Sequence, residues 1–290
     1  MSLTLDFTPN AVHSGIYLAH QRGFDAAEGV PLEIHQPSSS TDAVKLLLSG
    51  RSDFAVMDIH DLAIAREKGR ELVGVMALVQ TPLAAVIAKP GTKSPKDLAG
   101  GTAGVTGLPS DVAVLDSVIK GAGGDPDSVK QVTIGFTAVP ALLADKVDAV
   151  TAFWNVEGVA LKAKRPGVRE FRVERYGAPS YPELVLVTSR RTLQDDPQEV
   201  KATIRTLRRG YEEALKDPES AVQALLKADR GLRASTVKAE FDAVSASFTA
   251  GASYYGELSE RRLQQWSVWE KKFGITKEQP DIFQTFRFDL

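Results

Sequence analysis

The order of its segments constrains this chain more than any single motif. From residue 3 to residue 188, short aliphatic and β-branched runs alternate with helical stretches, each bounded by Gly, Pro or a capping side chain. From there to residue 290 the apolar spacing is helical only. Such alternation predicts βαβ units and parallel sheets, with the terminal helices packing onto what precedes them. Strands are expected at residues 3–5, 31–36, 54–57, 72–78, 83–88, 102–105, 129–135, 148–153 and 184–188. Helices are expected at 11–28, 42–48, 62–68, just after Ser94-Pro95, and at 111–120, 138–144, 197–216, 218–228, 234–250 and 259–273.

The two parts of the alternating region resemble each other locally. The run Leu47-Leu48-Ser49-Gly50-Arg51-Ser52-Asp53-Phe54-Ala55 aligns without gaps on Leu142-Leu143-Ala144-Asp145-Lys146-Val147-Asp148-Ala149-Val150. Each is a helix end, a basic turn residue, an Asp and a buried strand. The match is short enough to be reuse of a common connection. It nevertheless puts residues 57–60 and 152–155 at equivalent strand ends of two similar lobes. The simplest architecture is α/β, with two lobes and two hinge crossovers near residues 88–91 and 182–188. Residues 1–88 and 188–290 would form lobe I, and 89–187 an inserted lobe II. The C-terminal helices would cover lobe I, and a ligand cleft would separate the two.

Composition removes several classes of function. The net charge of -2, from 35 basic and 37 acidic residues without a basic block, argues against nucleic acid or an anionic membrane as partner. With no cysteine, disulfides, thiolate catalysis, iron–sulfur clusters and cysteine-ligated zinc are excluded. The longest apolar runs, such as residues 83–88, are too short to span a bilayer. No secretory leader precedes Leu3; one removed by processing is compatible with the sequence.

Candidate chemistry gathers where strands hand over to helices, the position at which open α/β sheets bind ligands. Phe7-Thr8-Pro9-Asn10 precedes a helix carrying His13 and Gly15; Asn10 can cap that helix, and Phe7 can equally be core. Trp154-Asn155-Val156-Glu157-Gly158 follows a buried strand. A Trp beside a carboxylate suits a flat heterocycle bearing amines, the ring stacking while Glu157 accepts N–H groups. Core packing and helix-dipole roles are the alternatives. Met57-Asp58-Ile59-His60-Asp61 ends the equivalent strand of the first lobe. There His60 could act as a base or half of a metal site, and Asp61 as a helix cap. With four histidines and no helical His pair of metalloprotease type, no metal is expected. Gly107-Leu108-Pro109-Ser110-Asp111 offers a hydroxyl at a helix start but fits neither a P-loop nor a dinucleotide fingerprint. Ser38-Ser39-Ser40-Thr41 could supply hydroxyls or caps. Tyr176 and Tyr181 could close the cleft, and Arg190-Arg191 reads as a solvated face.

Taken in order along the chain, Phe7-Thr8-Pro9-Asn10, His13, Gly15, the Leu-Leu-Ser-Gly-Arg-Ser-Asp stretch and Trp154-Asn155-Val156-Glu157-Gly158 resemble the thiamine-pyrimidine family. That family comprises periplasmic pyrimidine-precursor-binding proteins of ABC importers and the fungal pyrimidine synthases. More distantly the chain is similar to sulfonate, nitrate and taurine binders. The resemblance implies a periplasmic-binding-protein-like fold of type II, closing over a pyrimidine held by aromatics and a carboxylate. The partners implied are a small-molecule ligand and a membrane permease, with a monomer located in the periplasm or lipid-anchored outside the cytoplasm, and no cofactor. The residues expected to bind ligand are Phe7, Asn10, His13, Ser39, Asp58, His60, Ser110, Trp154, Glu157 and Tyr181.

Departures from the family pattern bear on activity. The first motif usually carries Trp where this chain has Phe7, which offers less stacking area. The synthases carry a cofactor lysine four residues before the histidine matching His60, where this chain has Val56. They also carry a cysteine-rich run where this chain reads Tyr181-Pro182-Glu183-Leu184-Val185-Leu186-Val187. Without that lysine there is no Schiff base to pyridoxal phosphate, so binding rather than catalysis is expected. Two alternatives stand beside it. One is a binder of another small anion or aromatic, through Ser39, Ser110 and helix N-termini. The other is a cytosolic pyrimidine enzyme using His60.

Overall fold

The computed structural model describes residues 1–39 and 41–290; Ser40, one of the expected hydroxyls, lies outside the described residues. Ten strands are assigned among the described residues: β1 Ser2–Thr4, β2 Glu33–His35, β3 Phe54–Asp58, β4 Leu72–Val79, β5 Ala84–Ala88, β6 Thr102–Val105, β7 Lys130–Thr133, β8 Ala149–Phe153, β9 Arg169–Arg172 and β10 Leu184–Ser189. They form two five-stranded sheets in the orders β2-β1-β3-β10-β4 and β7-β6-β8-β5-β9. Strands β3 and β8, paired by the local likeness in sequence, occupy the same third place in their sheets. The two lobes are therefore built on one plan.

The sheets are mixed rather than parallel. The pairs β1–β2, β1–β3, β6–β7 and β6–β8 are parallel, whereas β10 runs antiparallel to β3 and β4, and β5 antiparallel to β8 and β9. Both exceptions are the strands that have just crossed from the other lobe. Strand β5, expected in the first lobe, therefore belongs to the second sheet. The chain crosses at residues 80–83, one strand earlier than expected, and returns just before Leu184. An apolar run such as Ala84–Ala88 is buried on both faces in either sheet, so its composition could not say which lobe it joins.

Side-chain alternation fills two cores, one on each face of the sheets. Phe54, Val56, Leu184 and Leu186 point to one face, Ala55, Met57, Val185 and Val187 to the other. Helix Ser14–Gln21 crosses helix Pro197–Lys216 on the first face, where Gly210 lies against the carbonyl of Gly15 and Gly15 against the Tyr211 ring. Any Cβ at Gly15 or Gly210 would collide there, so the crossing requires glycine on both helices. The helix expected over residues 11–28 is broken into a 3-10 turn at Ala11–His13, helix Ser14–Gln21 and helix Phe24–Ala27. The break falls at Gly23, whose φ of 68° is left-handed and ends a helix.

Among the C-terminal helices, Pro197–Lys216, Pro218–Ala228 and Ala234–Val244 pack on the first lobe, where the Tyr211 hydroxyl donates to the Val12 carbonyl at 2.8 Å. Helix Ala234–Val244 also touches helix Glu157–Lys164, and helix Glu260–Phe273 touches helix Pro109–Gly121, so both reach the second lobe. No helix of the described residues is long and apolar enough to cross a membrane.

Candidate ligand-binding site

A cavity of about 100 Å³ lies between the two sheets, room for several waters or one small ring. Its walls are the ends of β3 and β8, the loop before Asn10, and the starts of the helices that follow these strands. Apolar surface comes from Val56, Met57, Leu108, Val156 and the rings of Phe7, Phe136 and Phe153. Among the described residues, five carboxyl side chains share the lining, those of Asp6, Asp58, Asp61, Asp111 and Glu157, and no Lys, Arg or His does.

Of the ten residues expected to bind ligand, Phe7, Asn10, Asp58, Ser110 and Glu157 line this cavity. Asn10 does so with its polar atoms engaged. Its Oδ1 accepts the Val12 N–H at 2.9 Å and its Nδ2 donates to the Thr8 carbonyl at 3.0 Å. Asp58 caps helix Ile59–Glu67 by accepting the His60 N–H at 2.7 Å, the role expected of Asp61. Asp61 instead sits in the first turn, lining the cavity together with Ser110 from the opposite lobe.

The other five stand away from the cavity. His13 is fully buried behind the loop: its Nδ1 accepts the Asn10 N–H at 3.2 Å, so the proton sits on Nε2, which meets Asp6 Oδ1 at 2.8 Å. It fixes the loop that carries Phe7 rather than touching ligand. Ser39 gives both its N–H and its hydroxyl to Asp42 in the turn before helix Asp42–Leu48. Those bonds, with the matching pair from Ser38, hold the Asp42 carboxyl well below its usual range.

Trp154 corrects the expectation most clearly. It is buried, its indole N–H donates to the Pro82 carbonyl at 3.0 Å, and the Arg172 guanidinium covers its ring at 3.9 Å. The ring therefore braces the crossover at residues 80–83. Besides Phe7, the aromatic surface of the cavity comes from Phe136 and Phe153, which the sequence reading passed over. Phe153 was legible as the last residue of a strand ending at the cleft, while Phe136, in the turn after Gly135, carried no signal.

His60 and Tyr181 lie in a buried polar cluster beneath the cavity. His60 Nδ1 bonds the Glu270 carboxylate from helix Glu260–Phe273, and its Nε2 lies 3.0 Å from the Tyr181 hydroxyl. Burial opposes the imidazolium, but the charges of Glu270 and Asp58 prevail and raise the pKa to about 9. The Tyr181 ring stacks on Trp269 at 5.6 Å and is fully buried, so neither side chain closes the cleft. Asp58, His60 and Glu183 come close enough to hold a cation, yet both ring nitrogens of His60 already have partners.

Glu183 joins the two crossovers. Its carboxylate accepts the N–H groups of Leu83 and Ala84, and its own carbonyl accepts the Ile59 N–H at 3.0 Å. At the equivalent place Trp154 N–H donates to the Leu83 carbonyl, also at 3.0 Å.

Four of the lining acids, Asp58, Asp61, Asp111 and Glu157, hold their protons unusually tightly. Burial pushes Glu157 up to about 7 against the pull of the Phe153 N–H, which donates to its Oε2 at 3.2 Å. Burial takes Asp61 to about 7, with the Ser110 hydroxyl opposing and the Asp111 charge adding. Asp111 rises to about 6 through burial, opposed by the Thr106 hydroxyl and N–H. Desolvation raises Asp58 well above its ordinary value despite the His60 charge. Such a site disfavours anions and rewards N–H donors and cations.

The sequence of residues 10–221 matches a family model described as NMT1/THI5 like. The chain belongs to the NMT1/THI5-like family. Its relatives include the formylaminopyrimidine-binding protein of Halalkalibacterium halodurans, 32% identical over 229 residues that cover 78% of this chain and 69% of that protein. They also include the 4-amino-5-hydroxymethyl-2-methylpyrimidine phosphate synthase of Legionella pneumophila, 28% identical over 238 residues covering 80% and 75%. Among solved structures, the alkanesulfonate-binding protein of Xanthomonas axonopodis pv. citri shares the fold at a TM-score of 0.76 and 16% identity, over 97% of this chain and 94% of that one. This NMT1/THI5-like chain thus has the two-lobed fold of periplasmic binding proteins, with its own cleft chemistry.

Proposed function

We propose that this chain is the solute-binding component of an ABC importer and captures an amine-bearing aromatic heterocycle, a thiamine-related aminopyrimidine. One observation carries the reading: among the described residues, the cavity between the lobes combines three phenylalanine rings with five carboxyl groups and no cationic side chain. A flat ring is sandwiched by the apolar walls while Glu157 accepts its exocyclic amino and ring N–H groups. A sulfonate or nitrate would find no cationic partner among the described lining residues and would hinder the ionisation of the surrounding carboxyls. The name of the Halalkalibacterium halodurans relative supports the pyrimidine.

Two crossovers, residues 80–83 and 177–183, join a lobe built on the first sheet and the C-terminal helices to one built on the second sheet. Ligand bridging Phe7, Asp58 and Asp61 on one side with Phe136, Phe153 and Glu157 on the other stabilises the closed form, which a membrane permease then recognises outside the cytoplasm. His60, buried away from the cavity with both nitrogens engaged, favours binding over acid–base catalysis.

Calorimetric titration tests the proposal. Dissociation constants for aminopyrimidines in the micromolar range or tighter, about -8 kcal/mol, are expected. Heat from alkanesulfonate or nitrate and none from aminopyrimidines would reject it.

A further inference from the structure

We propose that Arg262 is a positioning residue for lobe closure: from outside the cavity its guanidinium clamps the two crossovers together in the closed form and so sets how long ligand stays bound. This presupposes the solute-binding reading and adds to it a side chain that governs affinity without touching ligand.

Arg262 projects from helix Glu260–Phe273 and is 6% exposed. Burying a guanidinium is costly, and the usual relief is a carboxylate partner. Arg262 has none: among the described residues, all four of its hydrogen bonds go to neutral oxygens. Its Nη1 donates to the Gln80 side-chain oxygen at 3.2 Å and to the Ala250 carbonyl at 2.9 Å. Its Nη2 donates to the Gln80 carbonyl and, at 2.7 Å, to the Ser180 hydroxyl. The buried Nε–H has no partner among the described residues, a further cost that the arrangement carries. Packing alone would be met better by an apolar side chain of similar volume. What the guanidinium adds is reach. Gln80 opens the outgoing crossover and Ser180 lies in the return crossover, so one planar fork grips both.

The two grips differ. Gln80 is held from behind: its N–H donates to the Ser247 carbonyl at 2.7 Å and its side-chain amide to the Glu257 carbonyl at 2.8 Å. Ser180 is exposed, and the bond to Arg262 is its only hydrogen bond among the described residues. Hinge motion turns the return crossover against the fixed one, and the Ser180 bond is the contact that gives way. In this structure the lobes touch at the cavity rim through Phe7 and Phe136, so the clamp as observed belongs to the closed form. A contact made only there shifts the population toward closure and slows ligand release. Water replaces the hydroxyl on opening, so the bias is the net worth of one hydrogen bond and not a lock.

The test uses the exposed serine, whose replacement leaves both the cavity and the core intact. Lys45→Cys and Thr137→Cys, at exposed positions beside the cavity-lining Val44 and Phe136, give two unique label sites in a chain without cysteine. Spin-label distances in the ligand-free protein and stopped-flow release of 4-amino-2-methylpyrimidine are then compared across Ser180 variants. Ser180→Ala is expected to move the distances toward wider separation and to release the probe ~5-fold faster, with little change in urea midpoint. Ser180→Thr, which keeps the hydroxyl, should restore both. Arg262→Lys lacks the fork, so it should release the probe faster on its own and make Ser180→Ala silent when the two are combined. Should the lysine variant fail to fold, the serine pair decides alone. A wild-type release rate in Ser180→Ala, or a threonine variant no better than alanine, would overturn the clamp and leave the aminopyrimidine reading intact. If the wild-type protein binds no aminopyrimidine, that reading falls, and label distances unchanged by Ser180→Ala would overturn the clamp as well.

Discussion

The rings of Phe7 and Phe136 meet edge to face, with centroids 4.5 Å apart and planes at 70°. Phe7 belongs to the loop after β1 and Phe136 to the turn after β7, so the contact joins the two lobes at the rim of the cavity. Such a pair adds about 0.5–1.5 kcal/mol beyond the area it buries. A ligand inside the cavity inherits that stabilisation because closure brings the rings together. Phe136→Ala is therefore expected to weaken aminopyrimidine binding by ~10-fold, mainly through faster dissociation, with little change in melting temperature. Stopped-flow dissociation kinetics would show it; an unchanged off-rate would remove Phe136 from the closure contact.

Glu157→Gln separates the charge of this side chain from its shape. The amide keeps the carbonyl acceptor for the Phe153 N–H, so stability should hold. What disappears is an ionisable acceptor for the amine edge of the ring, and hydrogen bonds to charged groups contribute about 1.5–3 kcal/mol. A loss of ~10- to 100-fold in aminopyrimidine affinity is expected, together with a flatter pH dependence of binding around pH 7. Unaltered affinity in the variant would place the amine elsewhere.

Much of the architecture was legible because punctuation was strong. Asp196-Pro197 and Asp217-Pro218 bound helices Pro197–Lys216 and Pro218–Ala228 as expected. Strand direction was not legible: Leu184–Ser189 and Ala84–Ala88 read alike whether parallel or antiparallel. Strand β9, with the sequence Arg169-Glu170-Phe171-Arg172, sits at a sheet edge where charges are tolerated, and its composition hid it. In the site, the handover after each strand pointed to Phe7, Asn10, Asp58, Ser110 and Glu157. It could not tell which ring at the end of β8 faced inward, since Phe153 and its neighbour Trp154 differ only in which side of the backbone they leave. That Asp61 and Asp111 line one cavity is a tertiary fact, and each residue alone looks like an ordinary helix-start acid.

Replacing Trp154 distinguishes bracing from ligand contact. With its ring under Arg172 and its N–H on Pro82, Trp154→Ala should cost roughly 3–5 kcal/mol of stability, as large aromatic truncations do. Trp154→Phe, which keeps most of the volume, should leave aminopyrimidine affinity within about twofold once folded protein is compared, since its ring lies off the cavity. Urea unfolding and calorimetry of both variants decide it: affinity falling in step with indole size would make Trp154 a stacking partner after all.

Glu183 makes a similar prediction about the crossovers. Glu183→Gln retains an oxygen for the Leu83 and Ala84 N–H groups, whereas Glu183→Ala leaves them buried and unpaired. The alanine variant should lose about 1–3 kcal/mol for each orphaned donor, and the glutamine variant far less. Equal urea midpoints for the two variants would mean that solvent reaches the crossover.

Stability should fall as pH rises, opposite to proteins governed by exposed ion pairs. His60 is raised from 6.5 to about 9, so folding holds its proton more tightly than the unfolded chain does. Its contribution is fully present below pH 6.5 and disappears as pH climbs through 9. Glu157, raised from 4.5 to about 7, acts with the same sign: protonated in the fold, it stabilises below pH 4.5 and that gain is gone above 7. Urea unfolding of the ligand-free protein at intervals from pH 5 to pH 9 should therefore show a steady decline. Glu270→Gln, which removes the charge holding the His60 proton, should flatten the part above pH 6.5. Stability rising over that range would mean that the buried imidazole is neutral and the carboxyls of the cavity are already ionised.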